Sequence, residues 1–201
     1  MTINHPNSPY YKEPDYYNMD NTDSRFIIKK FKTIQQATET SCGACSVLMI
    51  LNHFGIDKYT EKQLSKYLHT DSTKGTSLKS IVKLFKKLNF EIVSSLDYPK
   101  FESYKQFRKF ILRMIKKNIP ILVENVDWGG HWRIIIGIDV MDKKSTLDDT
   151  LIFADSYNTH NHNQDGYCIE NGEKFFSMFF DYNKLPEEER EQPWIIVYPR
   201  V

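Results

Sequence analysis

The residues of this chain with the clearest capacity for chemistry are three cysteines, six histidines and the acids near them. A thiol becomes a nucleophile when its proton is easily lost, and a helix start promotes this through unpaired backbone N–H groups and the positive end of the helix dipole. Cys42 is placed for that chemistry. The text CGACSVLMILNHF carries apolar residues on nearly every side and stops at Gly55, which reads as a buried helix with Ser41 as N-cap and Cys42 as its first residue. Gly43 leaves room for a substrate carbonyl to approach the backbone, where an N–H stands ready as an oxyanion donor. Gln36, six residues before Cys42 on the incoming loop, supplies a side-chain donor; such a group is typically worth about 3 kcal/mol of barrier lowering.

A base must come from elsewhere in the chain. His5 lies in a polar N-terminal stretch, His53 is on the Cys42 helix itself, His69 ends the next helix, and His160 and His162 sit in a polar loop. His131 differs, because it follows Trp128-Gly129-Gly130 and opens the apolar run HWRIIIGID. Its ring then projects from a rigid strand edge where glycines let another segment pass close by. If His131 to Asp139 and Thr150 to Asp155 pair as antiparallel neighbours, the end of the second strand lies beside the start of the first, which sets Asp155 next to His131. Asp139 is excluded, being about 26 Å along the strand from His131 at roughly 3.3 Å per residue. Asn158 and Asp127 are near enough to serve as reserves. Trp128, Trp132 and Tyr157 flank the histidine and the acid and, with Gly43 and Gly130, read as the walls of a substrate cleft.

These groups need a scaffold, and the rest of the chain describes one. Helices are expected at Thr60 to about Leu68, opening with a Thr60-Glu61-Lys62-Gln63 capping box, at Ser77 to Leu88, and at Ser103 to Lys117 with Tyr104, Phe107, Ile111 and Met114 on one stripe. Phe90 to Ser94, Ile119 to Asn125, His131 to Asp139, Thr150 to Asp155 and Trp194 to Tyr198 are strand-like, interrupted by a helix over Asn171 to Tyr182. Helices first and strands afterwards predict an α+β architecture with a mostly antiparallel sheet and a cleft where the halves meet. Residues 1–25 are a polar, Tyr- and Asn-rich arm, and 26–201 form one domain.

Composition narrows the function classes. With 27 basic and 26 acidic residues the formal charge is +1, which provides no field for nucleic acid or an anionic membrane. An odd number of cysteines and a start without a secretory pattern predict a reducing cytoplasm and no disulfide framework, and no apolar run approaches the roughly 20 residues that span a bilayer. No P-loop, dinucleotide fingerprint, HExxH or GxSxG element occurs, and no cofactor is expected. Cys42, Cys45, His160 and His162 have poor spacing for zinc, so no metal is expected either. Cys42-Gly43-Ala44-Cys45 is also a dithiol redox pattern, but the preceding TIQQATETS is polar where a redox motif of that kind follows a hydrophobic strand. Cys45 reads as a packed core thiol, and Cys168 has no evident partner.

Gln36, ETSCGAC, GGHWRIIIGID and LIFADSY together resemble the peptidase C39 and C39-like group, bacterial papain-like cysteine peptidases, over roughly residues 30–160. The resemblance implies a papain-like fold whose N-terminal helical half carries the nucleophile helix, packed on a sheet that carries His and Asp. It also implies Cys42 as nucleophile, His131 as base, Asp155 as orienting acid and Gln36 in the oxyanion hole. Ser156 stands where the family commonly has Pro, and the loop from Val140 to Asp149 is long and charged. Gly166 to Phe180, with its FFSMFF run, also looks like stand-alone C39-like proteins. Better-known members are fused to export transporters and cleave leader peptides after a Gly-Gly pair; with no membrane segment here, that substrate is not carried over. The expected function is a cysteine peptidase or amidohydrolase working through an acyl-enzyme on a peptide or amide. An acyltransferase passing an acyl group from a carrier or thioester to an amine is the alternative, a dithiol redox protein a lesser one, and a binding protein without turnover ranks last.

Overall fold

The structure, a computed structural model, describes residues 14–141, 144–159 and 163–200. Helix α1 (Cys42–His53) forms where its apolar run demands and is buried on every side from Cys42 to Leu51. Ser41 occupies the N-cap position without capping. Its backbone (φ −94°, ψ 9°) is not the extended conformation that aims a hydroxyl at the helix amides. The hydroxyl instead accepts from the Thr38 N–H at 3.0 Å and donates to the Thr38 carbonyl at 2.9 Å. Helix α2 (Glu61–Tyr67) carries the expected reciprocal capping box between Thr60 and Gln63, and Ser77 caps α3 (Leu78–Lys87). Helix α4 (Tyr104–Ile115) buries Tyr104, Phe107, Ile111 and Met114. Helix α5 (Gly172–Ser177) is shorter than the expected Asn171 to Tyr182. Beyond Ser177 the carbonyls turn outward, Met178 accepting from the Val126 N–H and Phe179 from the Gln192 N–H.

Seven strands, β1 (Arg25–Ile27), β2 (Phe90–Ser94), β3 (Ile121–Asn125), β4 (His131–Asp139), β5 (Thr150–Ala154), β6 (Tyr167–Asn171) and β7 (Trp194–Pro199), form one sheet in the order β2-β7-β3-β4-β5-β6. Strand β1 pairs with the far end of β4. Every named pairing is antiparallel. Strands β1 and β6 were not expected, since three residues of one and the half-exposed YCIEN of the other show no readable alternation. Within the stretch read as an arm, Tyr16 is buried against the Tyr167 ring and the Tyr17 carbonyl accepts from the Lys30 N–H. Among the described residues no helix is long and apolar enough to cross a membrane.

Alternation along β4 sorts the helices onto two faces. Trp132 points to α1, where Ser46 donates to its carbonyl, while Arg133 points to the side of α5 and α4, its guanidinium 4.4 Å from the Phe153 ring centre and 5.7 Å from that of Phe175. One irregularity governs where the β5 side chains fall. The register sets Asp139 opposite Thr150, Ile138 opposite Leu151 and Gly137 opposite Ile152, then skips Ile136, so that Ile135 faces Phe153 and Ile134 faces Ala154. An unbroken ladder would bring Asp155 opposite Ile134, with its side chain on the face away from His131. The bulge advances the count by one; continued one residue past Ala154, the shifted register gives Asp155 the face that His131 and Arg133 share.

The packing of α1 corrects two expectations about the cleft. Trp132 is buried and donates its indole N–H to the Thr76 carbonyl at 2.9 Å; because it lies on the opposite strand face from His131, it holds the helix instead of forming a cleft wall. Gly43 is small for the same reason. A Cβ there would stand 2.7 Å from Thr76 Cβ and 3.1 Å from Trp132 Cδ1, so the missing side chain makes room for protein and not for substrate. Gly43→Ala is expected to overpack this contact, costing about 1–3 kcal/mol and lowering the melting temperature by roughly 2–4 °C per kcal/mol in thermal unfolding followed by circular dichroism.

Candidate active site

Cys42 opens α1, and the hydroxyl of Ser41, turned back to Thr38, leaves the first-turn amides of the helix without a side-chain cap. Orphan N–H groups of this kind, at the positive end of a helix, are what a developing oxyanion requires. His131 opens β4 and forms the last pair with β3, opposite Asn125, so its ring emerges where the sheet ends. His131 Nε2 lies 2.7 Å from Asp155 Oδ1. The Cys42 thiol also acts on the ring, in the same direction as Asp155. The three side chains are buried.

Burial alone pulls the His131 pKa down, but the hydrogen bonds to Asp155 and Cys42 and their charges outweigh it and raise the value from the usual 6.5 to about 9. For Asp155 burial acts upward and is again outweighed. The His131 hydrogen bond and charge, the Arg133 charge and the Tyr157 N–H hold its carboxyl far below the usual range. Asp155 Oδ1 accepts from the Tyr157 N–H at 2.8 Å and the Asn158 N–H at 3.3 Å, while Oδ2 accepts from the Cys168 thiol at 3.6 Å. Of the two reserves, Asn158 therefore meets Asp155 through its backbone N–H, and Asp127 binds Asn125 and Arg133.

Gln36 sits beside this group, tied to the residue after Asp155. Its N–H donates to the Ser156 carbonyl at 2.9 Å, its Oε1 accepts from the Ser156 hydroxyl at 2.8 Å, and its Nε2 donates to the Thr38 carbonyl at 2.8 Å. The half-buried Tyr157 ring meets the His131 ring edge-on at 6.2 Å. Gly130 has φ +112°, and a Cβ there would collide with the Asp181 carboxylate; its size, like that of Gly43, serves a close approach of protein. The side chain of Trp128 lies outside the described part, as do His5, His160 and His162 and with them the zinc reading. His53 is held by the Asn118 carbonyl at 3.1 Å.

Two members of the site escaped sequence reasoning. Arg133, two residues after His131, is buried and reaches Asp127 at 3.0 Å and Glu170 at 2.9 Å. Its position on the His131 face of β4 was the available signal. Cys168 finds its partner in Asp155, and burial pushes its thiol far up; nothing in its sequence neighbourhood marks this, because β6 reaches Asp155 only through strand pairing. Cys45, expected as a core thiol, is fully buried and donates to the Ile34 carbonyl at 3.3 Å. No strand precedes α1 between Ile28 and Ser41, as a thioredoxin-type motif would need.

A family model, that of the Peptidase C39 family, matches residues 30–138, a stretch that includes Gln36, Cys42 and His131 and ends before Asp155. Among solved structures, the peptidase domain of Streptococcus ComA, a bi-functional ABC transporter involved in a quorum-sensing pathway, is similar with a TM-score of 0.57 and 17% identity, covering 85% of this chain and 99% of that one. The double glycine motif protease from an AMS/PCAT transporter, in complex with the leader peptide, gives a TM-score of 0.53 at 16% identity and covers 84% of this chain and 91% of that one. These likenesses show the papain-like fold of C39 peptidase domains. No curated protein matches the chain.

The His131 value has a direct readout. Because the folded state holds the proton above the usual 6.5, the pair's contribution to stability is fully present below that value and is lost as pH rises through about 9. In the intact protein the ring's NMR titration is expected near 9. In Asp155→Asn, with burial left and the carboxylate charge gone, the midpoint is expected to fall markedly; an unchanged midpoint would contradict the assigned cause.

Proposed function

The chain belongs to the peptidase C39 family, and on that footing we propose that it is a cysteine peptidase or amidohydrolase acting on a peptide or amide bond through Cys42, His131 and Asp155. The observation that carries this reading is the His131 ring, its Nε2 2.7 Å from Asp155 Oδ1 and its pKa raised in part by the thiol that opens α1. With the proton of the Cys42–His131 pair resting on the ring, the sulfur adds to the substrate carbonyl as thiolate. The carbonyl electrons move to oxygen, where first-turn amides of α1 and the second N–H of Gln36 Nε2 receive them. The imidazolium then protonates the departing amine, leaving a thioester that a His131-activated water hydrolyses. Asp155 keeps the ring in the tautomer and orientation this requires. A peptide is the favoured substrate class because one structural neighbour is described in complex with a leader peptide.

Iodoacetamide at neutral pH is expected to alkylate Cys42 at least roughly tenfold faster than Cys45 or Cys168, whose buried thiols are held protonated. His131→Ala should abolish that advantage. If Cys42 reacts no faster than Cys168 and the His131 change leaves its rate alone, the reading fails. In a peptide library read by mass spectrometry, the intact protein should release fragments that Cys42→Ala does not, with kcat/KM falling as pH rises through about 9, where His131 loses its proton. Products joined to an added amine in place of water would instead identify an acyltransferase.

A further inference from the structure

We propose that Ser156 is a positioning residue that sets the orientation of the Gln36 amide, so that one dipeptide, Asp155-Ser156, aligns both the base and the oxyanion donor; this rests on the reading of Gln36 as that donor. A glutamine side chain turns about a soft terminal torsion, and its two ends are opposite in character, one accepting and one donating. Only the nitrogen end can stabilise an oxyanion, and an amide turned the other way would present oxygen to a developing negative charge. Two contacts oppose that turn. The Thr38 carbonyl accepts from Gln36 Nε2 at 2.8 Å, and the buried Ser156 hydroxyl donates to Gln36 Oε1 at 2.8 Å. The first uses one of the two N–H bonds of Nε2 and leaves the other for a substrate oxygen.

The Ser156 hydroxyl has one proton, and Gln36 Oε1, which can only accept, receives it at 2.8 Å. The Cys45 sulfur beside the hydroxyl is the weaker acceptor and gives its own proton to the Ile34 carbonyl. The backbone link is separate, with the Gln36 N–H donating to the Ser156 carbonyl at 2.9 Å. Truncating Ser156 therefore keeps the loop tied to the strand end and removes only the anchor on the amide oxygen. Asp155 keeps its own ties, its backbone N–H on the Gly166 carbonyl and its Oδ1 on the Tyr157 and Asn158 amides, so the base is left in place.

The experiment compares two reactions of the same thiol. Acetylation by p-nitrophenyl acetate forms a sulfur–carbonyl bond, expels nitrophenolate and passes through an oxyanion. Alkylation by iodoacetamide displaces iodide at a saturated carbon and forms none. In Ser156→Ala the acetylation rate of Cys42 is expected to fall roughly tenfold, against the hundredfold or more typical of deleting an oxyanion donor outright. The alkylation rate and the His131 titration should stay within twofold of the intact protein. Gln36→Ala should slow acetylation further, and Gln36→Ala with Ser156→Ala no more than Gln36→Ala alone, since the serine acts only through the glutamine. If Ser156→Ala acetylates normally while Gln36→Ala does not, the positioning role is wrong and the oxyanion reading stands. A parallel loss of alkylation in Ser156→Ala would also overturn it, by showing a general disturbance of the thiol. If Gln36→Ala leaves acetylation untouched, the oxyanion reading itself fails and takes this inference with it.

Discussion

A buried imidazole beside a buried carboxylate is the constraint on which the other features of this molecule depend. Taking two ionisable groups out of water is costly, and the interior returns that cost only if each lone pair and proton has a partner. Here the partners are specific. Asp155 receives the His131 ring, two backbone N–H groups and a thiol, and Arg133 adds a nearby positive charge. Arg133 is itself buried and is answered by Asp127 and Glu170. The charges are grouped at the end of the sheet, and removing one would leave another uncompensated, a loss of about 3–5 kcal/mol in comparable buried pairs.

The same strand both holds α1 and faces its first residue. Because successive β4 side chains point to opposite faces, Trp132 braces α1 through Gly43, Ser46 and Thr76, while His131, one residue earlier, reaches the thiol at the end of that helix. A rigid spacing between α1 and the His131 ring follows, since a shift of either would have to disturb the Trp132 contact. Gly43, read from sequence as an opening for substrate, and Gly130, read as a cleft wall, are places of closest approach, Gly43 under Trp132 and Gly130 against Asp181. In both cases small size reflects dense packing around a site that has to be accurate.

The elements that carry the chemistry were legible because each is marked by local physics. The all-round apolar run after Ser41, the capping box at Thr60 and the nine residues of β4 show their period or their termini in neighbouring residues. Strand β1, too short for a period, and β6, half exposed, were not. The end of α5 is decided by carbonyls accepting from Val126 and Gln192, residues that no local pattern connects to it.

For the site itself, sequence alone determined which residue types could act and on which elements they ride: a thiol at a helix start, a histidine at a strand start, an acid at the end of the next strand and an amide on the loop before the helix. Tertiary structure decided their mutual faces. A regular β4–β5 ladder would have turned Asp155 away from His131, and the bulge at Ile136 turns it back. It also recruited Arg133, Cys168 and Ser156, whose places beside Asp155 and Gln36 arise from strand pairing and chain crossing between segments far apart in sequence. The physical reason is that periodicity and capping act over one or two turns of chain, whereas side-chain phase across a sheet depends on register, which a single extra residue inverts.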